Sequence, residues 1–211
     1  QVEFVRSGSN TLAGSYDINV TQMASRGALS YGIGAADTID VQADNSFTFQ
    51  VDGETSATVS IAAGNYSGSD FAAAIQQALA DNSALSAAER SVQVDYSDTG
   101  GLTFTSNRFG SESNVSITGL SNVTGLSTAT GNAGQDVEGT INGQAAEGDG
   151  QVLFLSNNTG GNAAGLQVRI TGGDVGNRGS VNFIEGVSER AVDAITGILA
   201  ADGSLSNRTE A

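Results

Sequence analysis

From Tyr16 to Thr21, within the stretch GSYDINVTQMA (14–24), apolar and polar side chains alternate at every position. Tyr16, Ile18 and Val20 fall on one side; Asp17, Asn19 and Thr21 fall on the other. A period of two sends successive side chains to opposite faces of a strand, so this stretch reads as a half-buried strand. The period returns in SFTFQVDGETSATVSIAAG (46–64) and RSVQVDYSDTGGLTFTSN (90–107), each a hairpin around a glycine turn. It returns again in NVSITGL (114–120) and in GLQVRITGGDVGNRGSVNFIEG (165–186). In the last, Leu166, Val168 and Ile170 are expected to face Val181 and Phe183 across a hairpin. A chain patterned this way folds as antiparallel β-structure.

The period changes twice. In YSGSDFAAAIQQALADN (66–82), Phe71, Ile75 and Leu79 recur at helical spacing, with Ser67 and Asp70 as a capping-box start and Asp81-Asn82 as the end. A second box, Ser86 to Glu89, predicts one extra turn. In SERAVDAITGILAADG (188–203), Ser188 caps, Val192, Ile195 and Leu199 line one face, and Gly203 ends a helix.

The glycine-rich run GQDVEGTINGQAAEGDGQVL (134–153) has two readings: a loop that cradles an anion, or the turns of a β scaffold. An anion loop needs a helix to follow and present its amides. None follows here. The glycines lie beside and between the short runs DVEGTIN and GQVLFL, so this is a hairpin joined through GQAAEGDG.

Residue types that are missing exclude most chemistry. There is no His, Cys, Lys, Trp or Pro. A Ser-His-Asp triad, a His or Cys metal site, a phosphate-binding P-loop and a Schiff base are all excluded. GIGAAD (32–37) lacks the third glycine of a dinucleotide fingerprint. The acidic turn GGDVGNRG (172–179) lacks the spacing of a calcium loop. With 23 acids a pair of carboxylates always exists, but 6% aromatics offers a glycosidase little platform for sugar. The chain is therefore read as not an enzyme, with no catalytic residues, no cofactor and no metal. Six Asn-X-Ser/Thr triplets read as ordinary strand and turn residues.

The net charge of −15, with every base an Arg, repels phosphate backbones and anionic headgroups. No nucleic-acid partner and no membrane insertion are expected, since no apolar run is long enough to span. A cysteine-free chain suits export as an unfolded polypeptide. No signal-peptide layout opens the sequence, so export without a cleaved signal is expected. The strand-like start and the helix near the end read as the limits of a fragment.

Polar, glycine-bearing joints lie at 34–45 and 121–134. The strand at 14–24 finds no partner before residue 46, so its partners are expected after 135. The expected fold is mainly β with a minor α+β character: two small antiparallel β domains, the distal inserted into the proximal. Residues 1–38 and 131–187 form the proximal domain. Residues 39–130 form the distal one with one helix, and 188–211 lead away as a C-terminal helix.

The stretches GSYDINVTQMA, NSFTFQVDGETSATVSIAAGNYSGSDFAAAIQQAL, VQVDYSDTGGLTFTSNRFGSESNVSI, GQDVEGTINGQAAEGDGQVL and GLQVRITGGDVGNRGSVNFIEGV, in this order, resemble the flagellar filament-cap family, FliD, also called hook-associated protein two. Where that family often has Leu before Ala in the first motif, Met23 stands here. The resemblance implies the D2 and D3 head domains, without the helical coiled-coil leg. It implies a structural subunit outside the cell at the flagellum tip, ring-forming with copies of itself and assisting flagellin assembly; some members adhere to host mucus glycoprotein. The block at 46–118 also resembles a module inserted in flagellins, so a variable outer domain of a flagellin or hook-filament junction protein remains the alternative. A carbohydrate-binding adhesin module would need a platform built from Tyr16, Tyr31, Tyr66, Tyr96 or the phenylalanines.

Overall fold

The computed structural model describes residues 1–34 and 37–184; the helix expected at 188–203 lies outside the described residues. The chain first lays down β1 (Val2–Arg6) and β2 (Gly14–Gln22). It then crosses into β3 (Ala28–Tyr31), β4 (Ile39–Val51), β5 (Glu54–Thr55), β6 (Gly64–Tyr66) and the helices α1 (Gly68–Ala80) and α2 (Ser83–Ala87). After them come β7 (Val92–Ser97), β8 (Gly101–Ser106), β9 (Val115–Val123) and β10 (Ala129–Thr130). It returns through β11 (Glu138–Ile141), β12 (Gln144–Asp149), β13 (Val152–Phe154), β14 (Gln167–Ile170) and β15 (Gly176–Phe183). The architecture is mainly β, and every pairing between these strands is antiparallel.

One sheet joins the beginning and the end of the chain in the order β1-β14-β13-β12-β11-β2-β15. β12 bends this sheet on itself. Its first half pairs with β11 and its second half, from Glu147, pairs with β13. The end strands approach each other, because Phe4 of β1 stacks on Phe183 of β15 with ring centroids 6.2 Å apart. Inside lie Tyr16, Ile18, Val20, Val137, Ile141, Leu153, Leu166, Val168 and Ile170. The partners of β2 are β11 and β15, as its isolation in the first half of the sequence required.

A second core lies between two smaller sheets, β10-β9-β4-β5 with β6 on β4, and β3-β8-β7. Phe47, Phe49, Phe71 and Phe104 fill it, with ring centroids 5.5 Å apart between Phe49 and Phe104 and 6.1 Å between Phe47 and Phe71. Helix α1 covers it with Phe71, Ile75 and Leu79. The Ser67 cap forms as expected: its hydroxyl accepts from the Asp70 amide at 3.2 Å and donates to the Asp70 carboxylate at 2.7 Å.

Four expectations need correction. The 165–186 hairpin does not form. β14 lies between β1 and β13, so its edges are taken, and the positive-φ turn at Gly172-Gly173 sends β15 across to β2. The apolar residues of β14 and β15 still belong to one core, without sharing an edge. Second, GQAAEGDG is not a loop but contains β12, made possible by Asn142-Gly143 at φ 52° and 78°, a turn that demands positive φ at both positions. Third, residues 28–33, expected with the proximal part, belong to the second core: β3 adds to β8, and Leu29 and Ile33 are buried there. Much of the joint at 34–45 is likewise strand β4. Fourth, the extra turn starts at Ser83, before the box at Ser86. Asn82 caps it by accepting from the Leu85 amide at 3.3 Å.

Asn82 does more than cap. Its side-chain amide also donates to the Ala57 carbonyl at 3.0 Å and accepts from the Ala57 amide at 3.2 Å. The residue is buried, so its loss leaves polar groups unpaired. Asn82→Ala is expected to lower stability by about 1–3 kcal/mol. Urea unfolding checks this: the midpoint should fall while the slope stays constant.

Candidate functional site

The chain passes between the two cores twice, outward through residues 23–28 and back through 131–137. These two passages pair with each other. The Ser25 amide donates to the Gln135 carbonyl at 2.9 Å, and Ala28 and Asn132 exchange amide-to-carbonyl bonds at 3.0 and 2.8 Å. The loop from β8 to β9, residues 107–114, closes over them. The Gly110 amide donates to the Ser25 carbonyl at 2.9 Å, and the Gly134 amide to the Ser113 carbonyl at 2.8 Å. The Ser113 hydroxyl accepts from the Gly27 amide and donates to the Arg108 carbonyl, each at 2.8 Å. The Arg26 guanidinium lies 4.6 Å from the centroid of the Phe109 ring.

Glycine is needed here because main chains touch. A Cβ on Gly27 would stand 2.3 Å from the Ser113 carbonyl oxygen, and one on Gly131 2.3 Å from that of Ala28. On Gly134 it would meet the carbonyl oxygens of Ser25 and Gly110 at 2.4 and 2.5 Å. These glycines are not marks of a floppy linker; they let three segments lie backbone to backbone.

Asp136 completes the joint. Its Oδ1 accepts from the Gly150 amide at 2.7 Å and from the Ser111 amide at 3.1 Å. It thereby ties the turn after β12 to the loop after β8. Partial burial pulls its carboxyl upward, but the donors of Ser111 and Gly150, with Arg108 nearby, outweigh that and hold it below the usual carboxylate range. Arg108 also pairs with Glu112 at 2.7 Å.

The remaining sequence candidates do not converge. In the 172–179 turn, Arg178 lies against Gly173 and donates to the Met23 sulfur at 3.2 Å. Among the described residues no three acids gather as a metal cluster would require. No described helix is long and apolar enough to cross a membrane. The four tyrosines are divided between the cores: Tyr16 in the first, Tyr31, Tyr66 and Tyr96 against the second. The joint read from the sequence at 121–134 holds Gly131 and Gly134, but Gly27 and Gly110 lie far from it in sequence and only the fold brings the four together. Its one advance signal was the density of Gly, Ser and Asn at 106–114 and 131–135.

No protein-family model matches the sequence, and no curated protein sequence does. The fold, however, is similar to solved structures of the flagellar cap protein FliD. The D1-D2-D3 domains from Escherichia coli match at 19% identity with a TM-score of 0.53, over 92% of this chain and 58% of that one. The chain thus spans a little over half of that structure. The D2-D3 domains from Escherichia coli match at 21% identity and 0.52, over 86% of this chain and 94% of that one. FliD (HAP2) from Pseudomonas aeruginosa PAO1 matches at 14% and 0.52, over 96% and 94%. At these identities the likeness establishes the fold.

Two measurements test the joint. Gly134→Ala should cost about 1–3 kcal/mol, as overpacking against backbone does. Gly160→Ala, with open space around it, should change stability by less than about 0.5 kcal/mol. Asp136→Ala should cost about 1–2 kcal/mol near neutral pH, where two amides lose their acceptor. Because the folded carboxyl is held low, this stabilisation is present above the unfolded pKa of about 4 and fades as pH falls through the folded value. Melting curves of wild type and Asp136→Ala should therefore converge in strong acid.

Proposed function

We propose that the chain is the head region of a flagellar filament-cap subunit, a structural protein that works outside the cell at the filament tip. The observation that carries this reading is coverage. The fold likeness takes in 86% of this chain and 94% of the Escherichia coli D2-D3 structure, so the correspondence is to a whole head and not to one common module. The order of the five sequence stretches supports the same reading. A flagellin module limited to 46–118 would leave the seven-stranded sheet unaccounted for.

In this reading the seven-stranded sheet is the proximal domain and residues 28–130 are the inserted distal one. The role is mechanical and not catalytic. A head that guides exported subunits has to hold its orientation while they pass, and the stapled joint at Gly27, Gly110, Gly131, Gly134 and Asp136 gives that stiffness. The partners are other copies of the full-length subunit, arranged in a ring, and flagellin. Copies of the head alone, at −15 each, repel unless specific contacts offset the charge.

A chimaera tests this. The present chain replaces the head of the Escherichia coli cap, and the product is expressed in a strain lacking its own cap. Filaments of measurable length are expected on electron micrographs. A chimaera that is exported and folded, yet leaves flagellin unpolymerised in the medium, counts against the reading.

A further inference from the structure

Strand edges around the second core are closed by side-chain amides. Gln76 of α1 accepts from the Val94 amide at 2.7 Å and donates to the Val92 carbonyl at 3.1 Å, as a strand beside β7 would. Asn45 does the same for Ile61, accepting at 3.0 Å and donating at 2.8 Å. Asn82 does it for Ala57. These last two lie on one edge of the 57–61 segment, with Val59 between them on the same edge. Val59 exchanges both main-chain bonds with Phe47, at 2.9 and 2.8 Å. Strand alternation then turns the N–H and C=O of Thr58 and Ser60 to the opposite edge. Both residues are exposed, and neither has a hydrogen-bond partner among the described residues.

That open edge borders a groove of about 660 Å³, whose other lining includes Ala74, Gln77, Ala78 and Asp81 of α1 and its cap. Edge strands are normally blunted by charge, proline or a cover, because an open edge invites another strand. The segment itself has neither of the first two: residues 55–69, TSATVSIAAGNYSGS, carry no charge and no proline.

The geometry points to a second copy of this chain as the occupant, pairing antiparallel through its own 57–61 segment about a twofold axis at Val59. The fit is one of self-complementarity. In that register Thr58 of each copy faces Ser60 of the other, and each exposed N–H meets a C=O. The copy supplies what the groove accepts: an extended, uncharged strand with small side chains, alongside a helix wall that offers the methyls of Ala74 and Ala78. Asp81, the groove's acidic residue, comes from both copies and resists the pairing, so salt should strengthen it. Such a pair closes at two copies and differs from a ring. It rests on the second core alone and stands or falls independently of the cap reading.

Sedimentation of the 211-residue chain tests it, from about 20 to about 500 µM at low and high salt, a range suited to a small contact. The weight-average mass should rise from 21.2 kDa toward twice that value, further in high salt. Amide exchange at Thr58 and Ser60 should slow as concentration rises. Ser60→Pro removes one edge donor, and Ser60→Lys sets a charge on each copy's edge. Each should weaken association at least about tenfold with the melting temperature kept. If Ser60→Pro fails to fold, Ser60→Lys decides. A constant mass over the whole range overturns the proposal. So does association that survives the folded variants, or exchange at Thr58 and Ser60 that ignores concentration.

Discussion

The contact of main chain with main chain at Gly27, Gly110, Gly131 and Gly134 is the constraint on which the arrangement of the two cores depends. Two covalent crossings alone would leave the cores free to swing. The β8–β9 loop removes that freedom by donating and accepting across both crossings. A hinge motion there would break several backbone bonds together, each costly to leave unpaired where water cannot replace it. Side chains on those glycines would push the three segments apart before the bonds could form. Small residues therefore serve stiffness here, against their usual association with flexible linkers.

The second core shows a related economy. A small sheet has a larger share of its strands at edges, and each edge exposes unpaired amides and carbonyls. Gln76, Asn45 and Asn82 each place one amide where a strand would otherwise be needed. A primary amide carries both a donor and an acceptor, so one side chain matches the two groups of a strand residue. Asn82 joins this role to helix capping, which couples the α1–α2 corner to the 57–62 segment. The opposite edge of that segment, at Thr58 and Ser60, has no such amide beside it.

Local order was legible in the sequence, and long-range order only in part. Tyr16, Ile18 and Val20 announced a buried strand face, and Phe71, Ile75 and Leu79 a helix face, because both periods follow from backbone geometry alone. The partnership of β2 with late strands was legible by elimination. The pairing of β14 was not. Leu166 to Ile170 and Val181 to Phe183 carry the same alternation whether they share an edge or face each other across a sandwich, and alternation does not record which. β12 was hidden for another reason: Ala145, Ala146 and Gly148 are weak strand formers, held extended by β11 along the first half of the strand and by β13 along the second. Asp136 gave no sign of its role, since its donors come from Ser111 and Gly150, 25 and 14 residues away.

Ion pairs contribute little to holding the described residues together. The Arg108–Glu112 pair is exposed, with 37% and 73% of the side chains accessible, and such pairs are worth less than about 1 kcal/mol. The surplus of acids adds self-repulsion. Stability therefore rests on apolar burial, and the burial is unevenly distributed. Phe47, Phe49, Phe71 and Phe104 all lie in the second core, between two sheets and a covering helix. The first core has a long folded sheet, and aliphatic residues with Tyr16 suffice to fill it. The four fully buried phenylalanines thus sit together in the core that helix α1 covers, while Phe4 and Phe183 stack at the ends of the seven-stranded sheet. Among the described residues the exposed large apolar side chains are Phe4, Val5, Leu12, Val175 and Ile184, too few for a broad apolar face, so a contact between copies through these residues has to come from geometry.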